Sequence, residues 1–415
     1  MQPEIFFRRR GLLHAAGGGR SGQFSGGAVK SFGEVLAGHH GLAPGFNFLR
    51  LALALTIVFY HVVTADGYLR AGTGPILWFF EYSLVSMFFA LSGFLITASA
   101  QRLDLANFLL NRSLRIVPAL AVDILICAFI IGPAVTTLTL GEYFTDAGFF
   151  AYLMNIVGAI HIELPGVFTG NPTSQANGAL WTIPWEINCY TIMSVMLITG
   201  VVRRPAATFL LLAGYVFTGL AVEHFSPAGV QDGSTLHALF VSRGAQLVTA
   251  FLCGILAYQL RDRIPMSRMA LYACVAIALI AMIVLDARAT HSVANRLILI
   301  PALTYITIYA GLSRLPLPKI LERGDYSYGV YLYHVPFIQL AIFLAPSVFV
   351  GTIPGVIMLT AVTVVVVLCV AAVSWHVVEK PVLSLRRFAL AGRVNGAAEG
   401  RAAMAPVAAV EGAGR

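Results

Sequence analysis

Apolar stretches long enough to cross a bilayer recur along this chain, parted by short polar turns. They lie at roughly 46–65, 75–99, 116–137, 181–201, 206–223, 240–260, 269–285, 296–313, 329–349 and 355–378. About 20 apolar residues match a hydrocarbon core about 30 Å thick, and lipid offers no partner to an unpaired peptide group, so runs of this length read as helices. The chain has 415 residues, 58% hydrophobic and 11% charged, against about a quarter charged in a soluble domain. The expected fold is all-α, a polytopic membrane bundle of about ten transmembrane helices. The fourth and sixth stretches carry Glu186 and Arg243 and are the least regular.

Lysine and arginine set the orientation. With the N-terminus in the cytoplasm and the spans alternating, 23 of the 27 basic residues fall on the cytoplasmic side, and only Arg70, Arg243, Arg288 and Arg296 do not. This positive-inside bias predicts an even number of spans and both termini in the cytoplasm. The net charge of +8 then reflects topology, and no nucleic-acid partner is invoked. The five cysteines, Cys127, Cys189, Cys253, Cys274 and Cys369, all lie within apolar spans and read as small hydrophobes. Neither a disulfide nor a metal site is expected. Residues 1–44 are Gly-rich and read as a flexible cytoplasmic lead-in with no signal-peptide core. Residues 389–415 read as a disordered Ala/Gly tail, which leaves 45–388 as one membrane domain.

Four groups of residues in that domain are candidates for chemistry. Arg50 and His61, eleven residues apart in FNFLRLALALTIVFYHVV, fall on one helical face about 16 Å apart along the axis. Arg50 either marks a helix end or holds an anion. His61 is either a satisfied structural histidine or a proton-handling group, since an imidazole in hydrocarbon needs partners. Arg112 and Arg115 in NFLLNRSLRIVPAL are helical neighbours suited either to anchoring or to bidentate capture of phosphate. Glu186 in LWTIPWEINCY, framed by Trp181 and Trp185, is an interfacial carboxylate of an aromatic belt, or orients His61, or binds a sugar hydroxyl. Asp123 reads as a partner for one of the arginines. The tyrosines and His334 of DYSYGVYLYHVP and the small residues of Ser92–Phe94 read as structural. The long outward segment 138–180 is a candidate cover for the outer mouth of a cavity.

Taken in order, these blocks resemble the acyltransferase 3 family of integral membrane O-acyltransferases, the group that includes bacterial O-antigen and exopolysaccharide acetylases. FNFLRLALALTIVFYH resembles the family's Arg, ten residues, His pattern, and SMFFALSGFLIT its FF-x-LSGFL-I block. NRSLRIVPAL resembles R-x-x-R, LWTIPWEINCY the W-[ST]-[LI]-x-x-E block, DYSYGVYLYHVP the S-Y-x-x-Y-L-x-H element, and WHVVEKP the closing E-[RK]-P. The resemblance covers about 45–388. Asn47 and Ser86 stand where the family often has Asp, so neither is assigned a charge-dependent role.

The resemblance implies an acyl-CoA-dependent enzyme of the bacterial inner membrane, with acetyl-CoA as co-substrate and a glycan or lipid-linked saccharide as acceptor. Carried over, Arg50, Arg112 and Arg115 would bind the phosphates of CoA and His61 would be the catalytic histidine, as general base or as acyl acceptor. Glu186 is the candidate for tuning His61 or binding the acceptor. Two other classes fit a ten-helix chain with sparse intramembrane charge. One is a secondary transporter of a lipid-linked sugar, against which stands the lack of an internal repeat. The other is a non-catalytic partner of a polysaccharide synthase.

Overall fold

The computed structural model describes residues 29–39, 43, 45–65, 74–225, 234–285, 292–315 and 324–384. The expected tail at 389–415 and residues 1–28 of the expected lead-in lie outside the described residues. Within that lead-in, α1 (Phe32–Gly38) is a short helix closed by a capping box between Ser31 and Glu34. Its Phe32 is buried against the turn at Ile264.

The described chain is helical apart from turns, an irregular stretch at 158–177 and one isolated bridge, Ser31 with Pro265. After α1 come α2 (Gly45–Ala65), α3 (Pro75–Ala100) and α4 (Leu105–Ile126), the last running on through a π turn into α5 (Gly132–Val135). The segment 138–180 holds α6 (Leu140–Thr145) and α7 (Ala147–Leu153), and after it come α8 (Ile183–Ile198), α9 (Pro205–Phe225) and α10 (Thr235–Phe240). The chain continues with α11 (Arg243–Gln259), α12 (Arg268–Val284), α13 (Val293–Leu312), α14 (Ser327–Leu344), α15 (Pro346–Phe349) and α16 (Ile353–Ser374).

Each expected apolar stretch therefore falls on a helix. Seven helices among the described residues are long and apolar enough to cross a membrane, beginning at Gly45, Pro75, Leu105, Pro205, Val293, Ser327 and Ile353. The other three, α8, α11 and α12, have 16, 17 and 17 residues. Helix α4 starts eleven residues before the apolar run itself, because the Asp104 side chain caps it by accepting from the Asn107 amide. That early start carries Arg112 and Arg115 inside the helix.

Large apolar side chains such as Ile198, Leu210, Phe217, Ile283, Val284, Ile357, Val365 and Val377 are exposed, as expected of a surface solvated by lipid tails. Between helices that already sit in lipid, burial of apolar area gives little drive, and close packing over small residues takes its place. The α3–α11 pair is the clearest case. Cβ atoms at Gly93 and Gly254 would lie 2.1 Å from the Phe251 carbonyl and 2.0 Å from the Ala90 carbonyl, so each glycine receives the backbone of the other helix. The expected structural role of the Ser92–Phe94 segment is the one observed. On the other side of α2, Leu51, Ala54, Val58 and Val62 pack on Val330, Ile338 and Ile342 of α14 and on Leu359, Val367 and Ala371 of α16.

The segment 138–180 enters the bundle rather than lying over it. Asn171 and Thr173 hydrogen-bond Gln339. The wholly buried Asn177 donates to Asp123 at 2.8 Å and to the Leu332 carbonyl at 2.9 Å. Pro336, four residues on, has no N–H to bond that carbonyl, so the proline opens an acceptor that the asparagine fills. Asp123 is thus held by Asn177, which corrects the expectation of an arginine partner.

Substituting Gly254 by Val should force α3 and α11 apart against backbone atoms and cost about 1–3 kcal/mol or more. Thermal unfolding in detergent would register this as a lowered midpoint, while Cys253→Ala alongside it should change the midpoint less.

Candidate functional site

A cavity of about 330 Å³ opens between α2, α3, α4, α8 and α14. Arg50, Arg112, Arg115, Glu186, Ser327 and Tyr328 line it, together with Thr182, Tyr331, Phe88 and Val85. The wall on α3 runs from Ser99 to Val85, about 21 Å of helix. Leu91, Leu95, Ile96 and Phe251 make much of the remaining lining apolar.

The three arginines expected to bind phosphate together line this one cavity, and two of them share a carboxylate that the sequence reading did not single out. Asp325 accepts from Arg50 at 2.5 Å and from Arg115 at 2.6 Å, with the Ser327 hydroxyl on its other oxygen at 2.7 Å. Asp325 stands two residues before α14, so its carboxylate joins α2, α4 and α14 at one point. Burial on its own raises the Asp325 carboxyl, but the guanidiniums of Arg115 and Arg50 outweigh it and hold the group well below the usual carboxylate range. Arg112 differs from its neighbours. It forms no ion pair among the described residues, and its buried Nε has no hydrogen-bond partner.

Glu186 faces the same cavity and hydrogen-bonds the Tyr190 hydroxyl at 2.5 Å. It does not orient His61, as one of its expected roles required. The partner of His61 is His334, whose Nε2 lies 3.0 Å from His61 Nδ1. His334 is wholly buried, and its own Nδ1 lies 2.6 Å from the Tyr331 carbonyl. The purely structural reading of His334 therefore missed the contact it makes. His61 does not itself line the cavity. Ring contacts lead to it from the wall, Phe88 to Tyr331, Tyr331 to His334 and His334 to His61, with centroids 6.2, 6.0 and 4.7 Å apart.

A second polar group joins α3, α11 and the turn before α8. Arg243 pairs with Glu81 at 2.9 Å and stacks over the Trp181 ring at 4.2 Å. Trp185 rests directly on Gly244. The two tryptophans thus face α11. Two of the four basic residues that broke the positive-inside pattern also have an explanation here. Arg243 is paired with Glu81, and Arg296 is buried on the carbonyls of Phe240, Val241 and Ser242 where α10 ends.

Comparison with known proteins agrees with the order of motifs. A family model described as an acyltransferase domain matches residues 44–375. The chain belongs to the acyltransferase 3 family. Nodulation protein 10 of Rhizobium leguminosarum bv. viciae is 26% identical over 388 residues, covering 87% of this chain and 98% of that protein. An O-acetyl transferase of Shigella phage Sf6 is 27% identical over 350 residues, covering 82% of this chain and 96% of the phage protein. No solved structure matches significantly. In this acyltransferase 3 member, the family's first-helix Arg and His and its R-x-x-R pair are all engaged with, or adjacent to, the short stretch Asp325–His334.

Asp325→Asn should leave the Arg50 and Arg115 guanidiniums without their counter-charge. The loss is about 1–3 kcal/mol, moderated because these side chains keep about a fifth of their surface exposed. A depressed carboxyl contributes stability above its unfolded value, about pH 3.9, and loses it only as pH falls through the folded one. The difference in thermal midpoint between the intact chain and Asp325→Asn should therefore be constant from pH 8 to pH 5 and shrink only in stronger acid.

Proposed function

We propose that this protein transfers an acyl group, most simply acetyl, from cytoplasmic acyl-CoA to a hydroxyl of a cell-surface or lipid-linked glycan. The observation that carries this reading is the arginine-lined cavity from whose wall Tyr331 and His334 lead to His61. The O-acetyl transferase named among the relatives supports the choice of acetyl and of a hydroxyl acceptor. The reading includes ten crossings of the bacterial inner membrane with both termini in the cytoplasm, and it assigns the chemistry to residues 45–388. The short helices α8, α11 and α12 would be the remaining three crossings.

Acyl-CoA is a substrate here, and the residues fit it. Arg112 offers a guanidinium with an unengaged Nε, and Arg50 and Arg115 can exchange the Asp325 carboxylate for phosphate oxygens in the same bidentate manner. A cavity of 330 Å³ is at the low end for ligand sites, about 300–1,000 Å³. It suits a pantetheine arm with the nucleotide left at the charged mouth. The thioester then travels inward along the apolar wall of α3.

At His61 the acceptor hydroxyl gives its proton to the imidazole as its oxygen attacks the thioester carbonyl. The carbon–sulfur bond breaks, and the departing thiolate takes that proton back as CoA thiol. Transfer through an acyl-imidazole is the alternative route, and both need a bare nitrogen on His61. This scheme assigns Glu186 and Tyr190 to the donor side, and Arg243, Glu81 and Trp181 to the acceptor side.

Mass spectrometry of surface glycans from cells with the intact chain, no chain or His61→Ala tests the reading. An acetyl increment present only with the intact chain is expected. The same increment in the His61 variant would sink the mechanism. No increment in any sample, with no labelled acetyl-CoA consumed by isolated membranes, would favour transport. Arg112→Ala should raise KM for acyl-CoA by about 10–150-fold, the equivalent of about 1.5–3 kcal/mol for a charged hydrogen bond, and leave kcat nearly unchanged. Steady-state kinetics on membranes would measure both.

A further inference from the structure

Two hydrogen-bond acceptors meet Nδ1 of His61, and what they do to the ring follows from counting protons. The Ile57 carbonyl lies 3.1 Å from Nδ1, and His334 Nε2 lies 3.0 Å from the same atom. His334 Nδ1 in turn faces the Tyr331 carbonyl at 2.6 Å. A carbonyl oxygen can only accept, so the nitrogen facing Tyr331 must carry the proton. A neutral His334 then has a bare Nε2, which can only accept from His61. His61 Nδ1 must therefore be protonated, and it shares that hydrogen between His334 and Ile57. The reverse assignment would set two nitrogen lone pairs against two carbonyl oxygens in a site where His334 is wholly buried, and each such contact is repulsive.

We propose that His334 is a positioning residue that fixes His61 as the Nδ1–H tautomer and so leaves Nε2 of His61 bare for the reacting group. This rests on the reading of His61 as the reacting histidine and deepens it. The constraint matters because free histidine favours a proton on Nε2, the form in which that nitrogen could neither take a proton nor attack a carbonyl. A carboxylate in the place of His334 would also select the tautomer, but it would bury an unpaired negative charge beside a membrane-embedded ring. A neutral imidazole does the same work without that cost. When His61 accepts the hydroxyl proton, the Nδ1–H bond to His334 also stabilises the imidazolium that forms.

The geometry is held from both sides. His61 and His334 sit on α2 and α14, which pack along their length through Val58, Val62, Val330 and Ile338. Tyr331, which supplies the carbonyl, is itself fixed by a 2.9 Å hydrogen bond between its hydroxyl and Thr182.

The test uses the full-length protein in detergent or native membranes. In protein labelled with ¹⁵N-histidine, the His61 signals, identified by their loss in His61→Gln, should show a protonated Nδ1 and a bare Nε2. A protonated Nε2 would overturn the proposal whatever the variants do. In kinetics, His334→Leu should lower kcat by roughly 10²–10⁴-fold, the range for a lost acid–base function, with KM for acyl-CoA unchanged. His334→Gln keeps an acceptor near the same point and should restore kcat to within about tenfold. Unchanged kcat in His334→Leu, with His61→Ala inactive, would overturn the role of His334 and leave the reading of His61 standing. Transfer retained in His61→Ala would overturn that reading and the proposal together.

Discussion

One carboxylate between two guanidiniums organises the charged end of this bundle. Arg50, Arg112 and Arg115 come from two helices, and three cations converging on one cavity repel each other strongly where water is scarce. Asp325 makes the arrangement stable by accepting from two of them at once. Because it is the N-terminal approach to α14, it also fixes that helix against α2 and α4. The third cation is left for something else. In the proposed function that something is a phosphate of the acyl donor, and a site that neutralised all three arginines internally would have no cation to offer it.

Much of the fold was legible in the sequence because lipid imposes a length on any apolar run. All ten expected stretches are helical, and the first-helix pair and the two-arginine motif lie where periodicity put them. The failures share a cause. Asp123 with Asn177, Glu186 with Tyr190 and His61 with His334 are pairings in which at least one member had been given a different partner or none. Helical spacing fixes which face a side chain is on, but not which other helix meets that face. Asp325 was visible as a charge directly ahead of SYGVYLYH, and a carboxylate at a helix entrance opposite unpaired arginines is the signal that would have found it.

The segment 138–180 shows how a polar, irregular loop can be accommodated inside a helical bundle. In lipid, irregular backbone is tolerated only where protein surrounds it. The segment meets that condition through Asn171, Thr173 and Asn177, whose hydrogen bonds end on Gln339, Leu332 and Asp123. Pro336 is part of the device, since removing one helical hydrogen bond of α14 supplies the acceptor. The 3₁₀ turn Gly178–Thr182 then delivers Thr182 to Tyr331 and Glu186 to the cavity. The loop therefore shapes the inner wall of the site, a role closer to the chemistry than that of a cover over its mouth.

Helices α2 and α14 run in the same direction and meet twice. The first meeting is ionic, Arg50 with Asp325, and the second is between rings, His61 with His334. Eleven residues separate the two levels on α2, and nine on α14 and its approach, where the chain is still more extended than helix. The two paths cover similar lengths, about 14–17 Å, so one rigid pair of helices sets both the charged mouth and the histidine pair. The proposed reaction, with a long substrate anionic at its head and reactive at its far end, needs that distance to be invariant, since an error of about 1 Å at the reacting atoms can cost 10²-fold. Flexible loops could supply either level alone. Holding both in register takes two packed helices, and the apolar seam of Leu51, Ala54, Val58 and Val62, with no chemistry of its own, is what keeps the two levels at a fixed distance.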